Sequence, residues 1–360
     1  MRKYRNQIIA GLALVVAIYI VLLIVMDTSG QFSDGVVEAV RGFPLWLVPL
    51  LCLLQVSAGF FRFLEWHYYL GVIEARHKLS LADSAIIFVS AFTMVVSPGK
   101  VAEVLKSVFL KMRTGVPVAR SAPVVIAERV VDGLAVVVTL VITLLLAGER
   151  LDLGDYRSIS QGIIFSTAIL LFGGLVVVQI APLAYFCLGI VARLPLINRL
   201  HPALTEFYES SREIFRIQHV AITTLMGMGV YMSSTIGYVL ILWGLGLDLT
   251  WTLFIQATFM VGVASAIGAL SFVPNGAGVT EISQLAMLSA IIVPDNPQFT
   301  LAAAGAAPLM QGFFHKWFRV IVGMGVTFIY RRRLFTPGLD AEIAAMEAER
   351  QRSPLQASAD

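Results

Sequence analysis

Charged residues are scarce in this sequence of 360 residues. Asp, Glu, Lys and Arg make up 14% of the chain, whereas about a quarter of an average soluble domain is charged. Hydrophobic residues account for 58%, and the formal net charge of +3 is too small to indicate a nucleic-acid partner. The composition therefore predicts an all-α polytopic membrane protein, since helices satisfy their own backbone groups in lipid.

Cysteine and histidine are also rare, with two and five residues respectively. Cys52 and Cys187 lie in apolar runs without metal-ligand spacing, and His315 has no second His or Cys nearby. The sequence contains no zinc motif, no phosphate loop of the G-x-x-x-x-G-K-[ST] type and no nucleophile elbow. We therefore expect no metal, no cofactor and no ATPase activity.

Long apolar runs predict about six transmembrane helices. They cover residues 7–26, 43–64, 121–147, 159–193, 220–247 and 301–330. Basic residues concentrate in the segments 100–120, 193–219 and 331–333, whereas 27–41 and 149–157 are acidic. The positive-inside rule then predicts a multi-pass protein of the cytoplasmic membrane with both termini in the cytoplasm. Residues 1–333 would form the membrane domain, and residues 334–360 a polar cytoplasmic tail.

Two further apolar segments are interrupted by proline and glycine. Residues 81–96 stop at Pro98 and Gly99, and residues 252–273 stop at "PNGAG", which contains Asn275, Gly276 and Gly278. The arm after the first break has only about a dozen residues, below the roughly 17 needed to cross a bilayer. We therefore expect two re-entrant hairpins that open from opposite faces. Such a pair predicts the inverted-repeat arrangement typical of transporters.

Each break is followed by a new helix, whose first turn offers free N–H groups suited to an anion. Lys100 adds a charge at the first break, so two such helix ends predict a phosphate cradle. Glu103 and Glu281 fall within the first turn after their breaks. Two interpretations stay open: each carboxylate caps its own helix, or it binds an amine headgroup or carries a proton.

Two clusters of ionisable residues lie within predicted spans: Glu128, Arg129 and Asp132 in "ERVVD", and His315, Lys316 and Arg319 in "HKWFR". Spacings of three and four residues place each cluster on one helix face. A charge at bilayer depth costs about 2.5 to 3.5 kcal/mol, so these side chains should face the interior and pair. We expect Asp132 and Arg319 to be partners. The clusters would form either a fixed network joining two halves or the lining of a substrate path.

The stretch "FFRFLEWHYYL", near the inner end of the second span, contains Arg62 among aromatic residues. Its composition is typical of an interfacial aromatic belt with a snorkelling arginine, and headgroup capture is the alternative.

The motifs "PGKVAEVLKS", "APVVIAERVVDGLA" and "SFVPNGAGVTE" resemble the signatures of a flippase-like integral membrane family. This family includes the transmembrane domain of the lysylphosphatidylglycerol synthase/flippase. The resemblance implies a role in moving polar lipids between leaflets or in supplying lipid-linked intermediates to the envelope. It also implies a set of family-type positions: Pro98, Gly99, Glu103, Glu128, Arg129, Asp132, Gly276, Gly278 and Glu281.

This chain departs from the family pattern in two respects. Relatives tend to have Arg-x-Gly-Glu after the first proline, where this sequence has "KVAE" from Lys100 to Glu103. The 360 residues also contain no soluble aminoacyl-transfer domain, so we do not expect this chain alone to transfer an amino acid to a lipid.

The function that we expect is translocation of a polar, anionic or phosphate-containing lipid or lipid-linked intermediate between leaflets. Two alternatives stay open. One is an intramembrane enzyme that uses Glu128, Asp132 and His315 as acid/base groups on a lipid headgroup. The other is a proton-coupled carrier of small solutes. Membrane lipids are the expected partners, and a second copy of the chain or an envelope-biosynthesis protein stays open as another.

Overall fold

The structure is a computed structural model that describes residues 35–92, 101–147, 156–193, 198–271, 273 and 276–334. The predicted span 7–26 lies outside this part of the chain, as do Pro98, Gly99, Lys100 and Asn275. The predicted tail also lies outside it, except for Leu334.

The described residues fold into helices and contain no strand, which confirms the all-α prediction. The helices are α1 (Val36–Arg41), α2 (Leu47–Val72), α3 (Leu81–Ala91), α4 (Val101–Thr114), α5 (Val118–Ala147), α6 (Tyr156–Gln179), α7 (Ala181–Arg193), α8 (His201–Ile214), α9 (Ile217–Gly244), α10 (Trp251–Leu270), α11 (Val279–Ile291), α12 (Leu301–Gly312), α13 (Arg319–Ile329) and α14 (Arg331–Leu334). A π-helical turn, Phe313–Phe318, joins α12 to α13.

Four described helices, α2, α5, α9 and α10, are long and apolar enough to cross a membrane, and α6 with α7 gives a fifth if the bent pair is one span. The protein is therefore a multi-pass membrane protein. Six spans, two re-entrant hairpins and an inverted repeat stay predictions. The segment predicted as the last span is helical from Leu301 to Ile329.

The span predicted to run from residue 159 to 193 as one segment is bent. α6 and α7 meet at an angle of 72°, with Ile180 between them and Pro182 in the first turn of α7. Proline has no N–H to donate to the preceding turn, and its ring clashes with the carbonyl four residues earlier. A straight helix through this point is therefore disfavoured.

The second break lies between α10 and α11, at the place that the sequence predicts. Gly276 and Gly278 have φ angles of 60° and 83°, in the left-handed region that costs other residues free energy. A Cβ on Gly276 would lie 3.1 Å from the Cα of Gly268 and 2.6 Å from the Thr280 hydroxyl. Glycine thus serves two needs here, the left-handed backbone conformation and the close packing against α10.

Among the described residues, two large apolar clusters form most of the core, and a third, small one joins Val36 to Ala306 and Leu309. One large cluster includes Leu140, Tyr238 and Phe259 from α5, α9 and α10. The other includes Trp66 of α2 and Ile214 of α8. The polar segment 193–219 contains the helix α8, which packs against α5. α9 also packs against both α2 and α5. The charged residues of α2 and α5 therefore come together in the interior.

We expect Gly276→Ala to lower the free energy of unfolding by about 1 to 2 kcal/mol, because alanine disfavours the left-handed region. The crowding of Thr280 adds to this cost. The measurement is thermal or denaturant unfolding of the purified protein in detergent. Gly325→Ala is the control, since a Cβ at Gly325 in α13 meets nothing within 4 Å. Equal stability of the two variants would contradict the left-handed geometry of the break.

Candidate functional site

Asp132 lies at the middle of α5 and holds two arginines. Its Oδ2 accepts a hydrogen bond from Arg62 Nη1 of α2 at 2.8 Å, and Arg129 Nη1 of its own helix lies 3.1 Å away. This contact fits the spacing of three residues, which puts Arg129 and Asp132 on one helix face. The expectation that Arg62 snorkels to the interface is wrong, because a carboxylate within reach gives the guanidinium a charged partner in the interior.

Glu128, one turn before Asp132, pairs with a residue of α4. Lys106 Nζ lies 2.6 Å from Glu128 Oε2, and both side chains are buried. The same ammonium lies over the rings of Trp66 and Phe88, at 4.8 and 5.4 Å from their centroids, where the aromatic faces attract a cation.

The burial of Trp66, Tyr69 and Lys106 corrects two expectations from the sequence. Trp66 and Tyr69 are fully buried, so the interfacial belt predicted for "FFRFLEWHYYL" is wrong for these two residues. Lys106, which belongs to the basic segment used for topology, is buried in α4 rather than exposed in a loop.

Glu281 has two roles at the start of α11. Its Oε2 accepts a hydrogen bond from the Gly278 N–H at 2.8 Å, so the capping interpretation is confirmed. Its Oε1 lies 2.7 Å from Lys316 Nζ of the π-helical turn. The carboxylate therefore fixes the second break and binds a cation at the same time.

The π-helical turn also presents His315, and Arg319 follows it directly. π turns are frequent at functional sites because the extra residue re-aims the side chains of a helix. His315 Nδ1 lies 3.2 Å from the Ser234 hydroxyl of α9, and Arg319 Nη2 donates to Gln55 Oε1 of α2 at 3.4 Å.

Asp132 and Arg319 do not form the direct ion pair that we expected. Arg62 and Arg129 lie at hydrogen-bonding distance from Asp132, and the amide of Gln55 accepts from Arg319 instead. Asp132 and Arg319 are still close enough to interact electrostatically.

Glu65 is a member of this site that the sequence analysis missed. It is 0% exposed and lies on α2, three residues after Arg62 and therefore on the same helix face. That spacing was the signal that could have identified it. Asp132 and Glu128 lie within electrostatic reach of its carboxyl group.

These side chains form one charge network in the interior of the helix bundle, with Arg129 exposed at its edge. We call it the buried charge network and define it as Arg62, Glu65, Lys106, Glu128, Arg129, Asp132, Glu281, His315, Lys316 and Arg319. Arg62 connects its two ends, because it binds Asp132 and also lies within electrostatic reach of His315 and Arg319. The network thus unites the two charged clusters predicted from the sequence, together with Glu281.

Glu103 lies in α4, but the structure does not describe its side chain. Among the described residues, no group of three or more His, Cys, Asp or Glu side chains is arranged to hold a metal ion.

One comparison with known proteins identifies a family. The family model described as "Lysylphosphatidylglycerol synthase TM region" matches residues 8–323. This match confirms the resemblance drawn from the three sequence motifs. No curated protein matches the chain.

We expect Asp132→Asn to destabilise the protein by about 3 to 5 kcal/mol, because it leaves two arginines without their carboxylate. Arg62→Gln combined with Asp132→Asn should cost less than the sum of the single changes, by about 0.5 to 3 kcal/mol. The measurement is a double-mutant cycle of unfolding in detergent.

The control for this cycle combines Asp132→Asn with Arg41→Gln. Arg41 belongs to an exposed ion pair with Glu38, so these two changes should be additive. Additivity of Arg62 and Asp132 as well would show that the two residues are not energetic partners.

Proposed function

The chain belongs to the family of the lysylphosphatidylglycerol synthase TM region, and we propose that it translocates an anionic or phosphate-containing lipid between the leaflets of the membrane. Family membership supports a lipid-related membrane function. The buried charge network supports the more specific proposal of lipid translocation.

The net charge of the network favours an anionic headgroup. Its cations are Arg62, Lys106, Arg129, Lys316 and Arg319, and its carboxylates are Glu65, Glu128, Asp132 and Glu281. The cations therefore exceed the carboxylates by one when all are ionised. Three of the cations are arginines, whose planar guanidinium groups bind phosphate through two parallel hydrogen bonds.

Arg129 is the network residue best placed to meet a lipid. It lies near the middle of α5, and its side chain is 40% exposed although it contacts Asp132. Ile126, three residues earlier on the same helix face, is also exposed. Arg129 therefore connects the outer surface of a membrane helix with the buried interior.

A lipid needs such a connection because its two ends require different surroundings. Moving a bare phosphate through hydrocarbon costs much free energy. The acyl chains, in contrast, are most stable in the hydrocarbon of the bilayer. A headgroup that exchanges contacts along Arg129, Arg62 and Arg319 would cross next to cations, with its chains still in lipid. When no headgroup is bound, the contacts with Asp132 keep Arg62 and Arg129 in place, and the Gln55 amide accepts a hydrogen bond from Arg319.

An intramembrane enzyme is the second candidate, and one contact favours it. The Ser234 hydroxyl lies 3.2 Å from His315 Nδ1, so a hydroxyl group and a base are adjacent. However, the Ser234 hydroxyl also donates to the Val230 carbonyl at 3.2 Å, and Glu128 and Asp132 each hold a cation. We therefore propose translocation without chemical modification of the lipid.

The test is leaflet exchange of headgroup-labelled lipids in liposomes that contain the purified protein. We expect Arg129→Gln to slow the exchange of an anionic lipid about tenfold or more, because a hydrogen bond to a charged group contributes about 1.5 to 3 kcal/mol. A neutral lipid should be less affected.

Arg212→Gln is the matched control, since Arg212 is exposed on the surface helix α8 and should not change the rate. Analysis of the recovered lipids by mass spectrometry separates the two candidates, because an enzyme would alter the headgroup. Equal exchange by the wild type and by folded Arg129→Gln would contradict the proposed path.

A further inference from the structure

Glu65 differs from the other three carboxyl groups of the buried charge network in its contacts. Asp132 has an arginine nitrogen at 2.8 Å, Glu128 has Lys106 Nζ at 2.6 Å, and Glu281 has Lys316 Nζ at 2.7 Å. Glu65 has no such cation among the described residues, and neither of its oxygens has a hydrogen-bond partner there. It is also fully buried.

The surroundings of Glu65 do not compensate a negative charge. α9 approaches with Gly227, where an added Cβ would lie 3.2 Å from Glu65 Oε1, so this side presents bare helix backbone. From α5, Glu128, Arg129 and Asp132 lie within electrostatic reach. Two of these three are carboxylates, and the guanidinium of Arg129 lies on Asp132.

On its own helix, Glu65 has Arg62 and Tyr69 as neighbours within electrostatic reach. The Arg62 Nη1 group is bonded to Asp132, and the Tyr69 hydroxyl is bonded to Thr223 of α9 at 2.9 Å. A buried carboxylate without a partner costs several kcal/mol. Binding a proton removes that charge without any movement of the surrounding helices.

We propose that Glu65 is a proton-binding site that couples lipid movement to proton movement across the membrane. The inference rests on the proposed function. The chemical step is the formation and breaking of one O–H bond, in which the carboxylate takes up a proton and later returns it. Acidic residues within membrane helices commonly serve as such relays.

Arg62 supplies the link between the proton and the lipid. Arg62 binds Asp132 in the structure, and we assign this contact to the protonated state of Glu65. Its Nε is buried and has no partner among the described residues, and Glu65 lies three residues away on the same helix face. Loss of the proton would draw Arg62 toward Glu65 and weaken the bond between Arg62 and Asp132. The set of cations available to bind a phosphate would then change.

The first test detects the proton directly on the full-length protein in lipid nanodiscs. Infrared difference spectra between acidic and alkaline pH should contain a high-frequency C=O band of a carboxyl group without hydrogen bonds. Glu65→Gln should abolish this band, and Glu65→Asp should keep a shifted one. Glu38→Gln, which changes an exposed carboxyl, should leave it intact. An identical band in the wild type and Glu65→Gln would overturn the proposal.

The second test measures coupling in liposomes with labelled anionic lipid. If one proton moves with each lipid, a pH difference of one unit across the membrane can maintain a ratio of about ten between the amounts of labelled lipid in the two leaflets. The wild type should approach this ratio, and Glu65→Gln should give an even distribution whatever its exchange rate.

The two proposals can fail separately. An even distribution in the wild type, with exchange intact, would overturn the coupling and leave translocation standing. A Glu65-dependent infrared band without any lipid exchange would instead contradict the proposed function and keep the proton site.

Discussion

A charge placed in hydrocarbon must find a partner, and this requirement determines how the helices of this protein pack. Asp132 needs a cation, which brings α2 against α5 through Arg62. Glu128 holds α4 against α5 through Lys106, and Glu281 holds α11 against the π-helical turn through Lys316. Apolar contacts between these helices add packing, but lipid tails offer similar contacts to any helix face. The ion pairs therefore specify which faces meet.

Two of these ion pairs have a similar place in the chain. In each, the short helix that follows a glycine-containing break contributes one partner, and a later helix contributes the other: α4 and α5 for Lys106 with Glu128, α11 and the π-helical turn for Glu281 with Lys316. The signs are exchanged between the two pairs. Both short helices therefore lie beside the network that we propose as the lipid path, while the inverted repeat stays a prediction.

The helix bounds were largely predictable from the sequence, because apolar runs and Gly/Pro breaks are local signals. The members of "ERVVD" and "HKWFR" were predictable too, since their spacing puts them on one helix face. The ion-pair partners of these residues were not predictable, because pairing depends on which helices meet in space. Arg62 and Glu65 are set among aromatic residues that suit an interfacial belt equally well, and Lys106 is one of several basic residues that also fit the positive-inside rule. Pro182 could have indicated the bend at Ile180, whereas the π-helical turn has no comparable signal in the sequence.

The proposed translocation requires a lipid headgroup to enter the buried charge network within the bilayer. Photo-crosslinking with an anionic lipid that carries the reactive group in its headgroup tests this most directly, with the crosslinked peptides identified by mass spectrometry. We expect crosslinks to α5 around Arg129 and to the π-helical turn, and their loss in competition with unlabelled anionic lipid. Crosslinks confined to helix ends and loops such as Asp248 to Thr250 would contradict it.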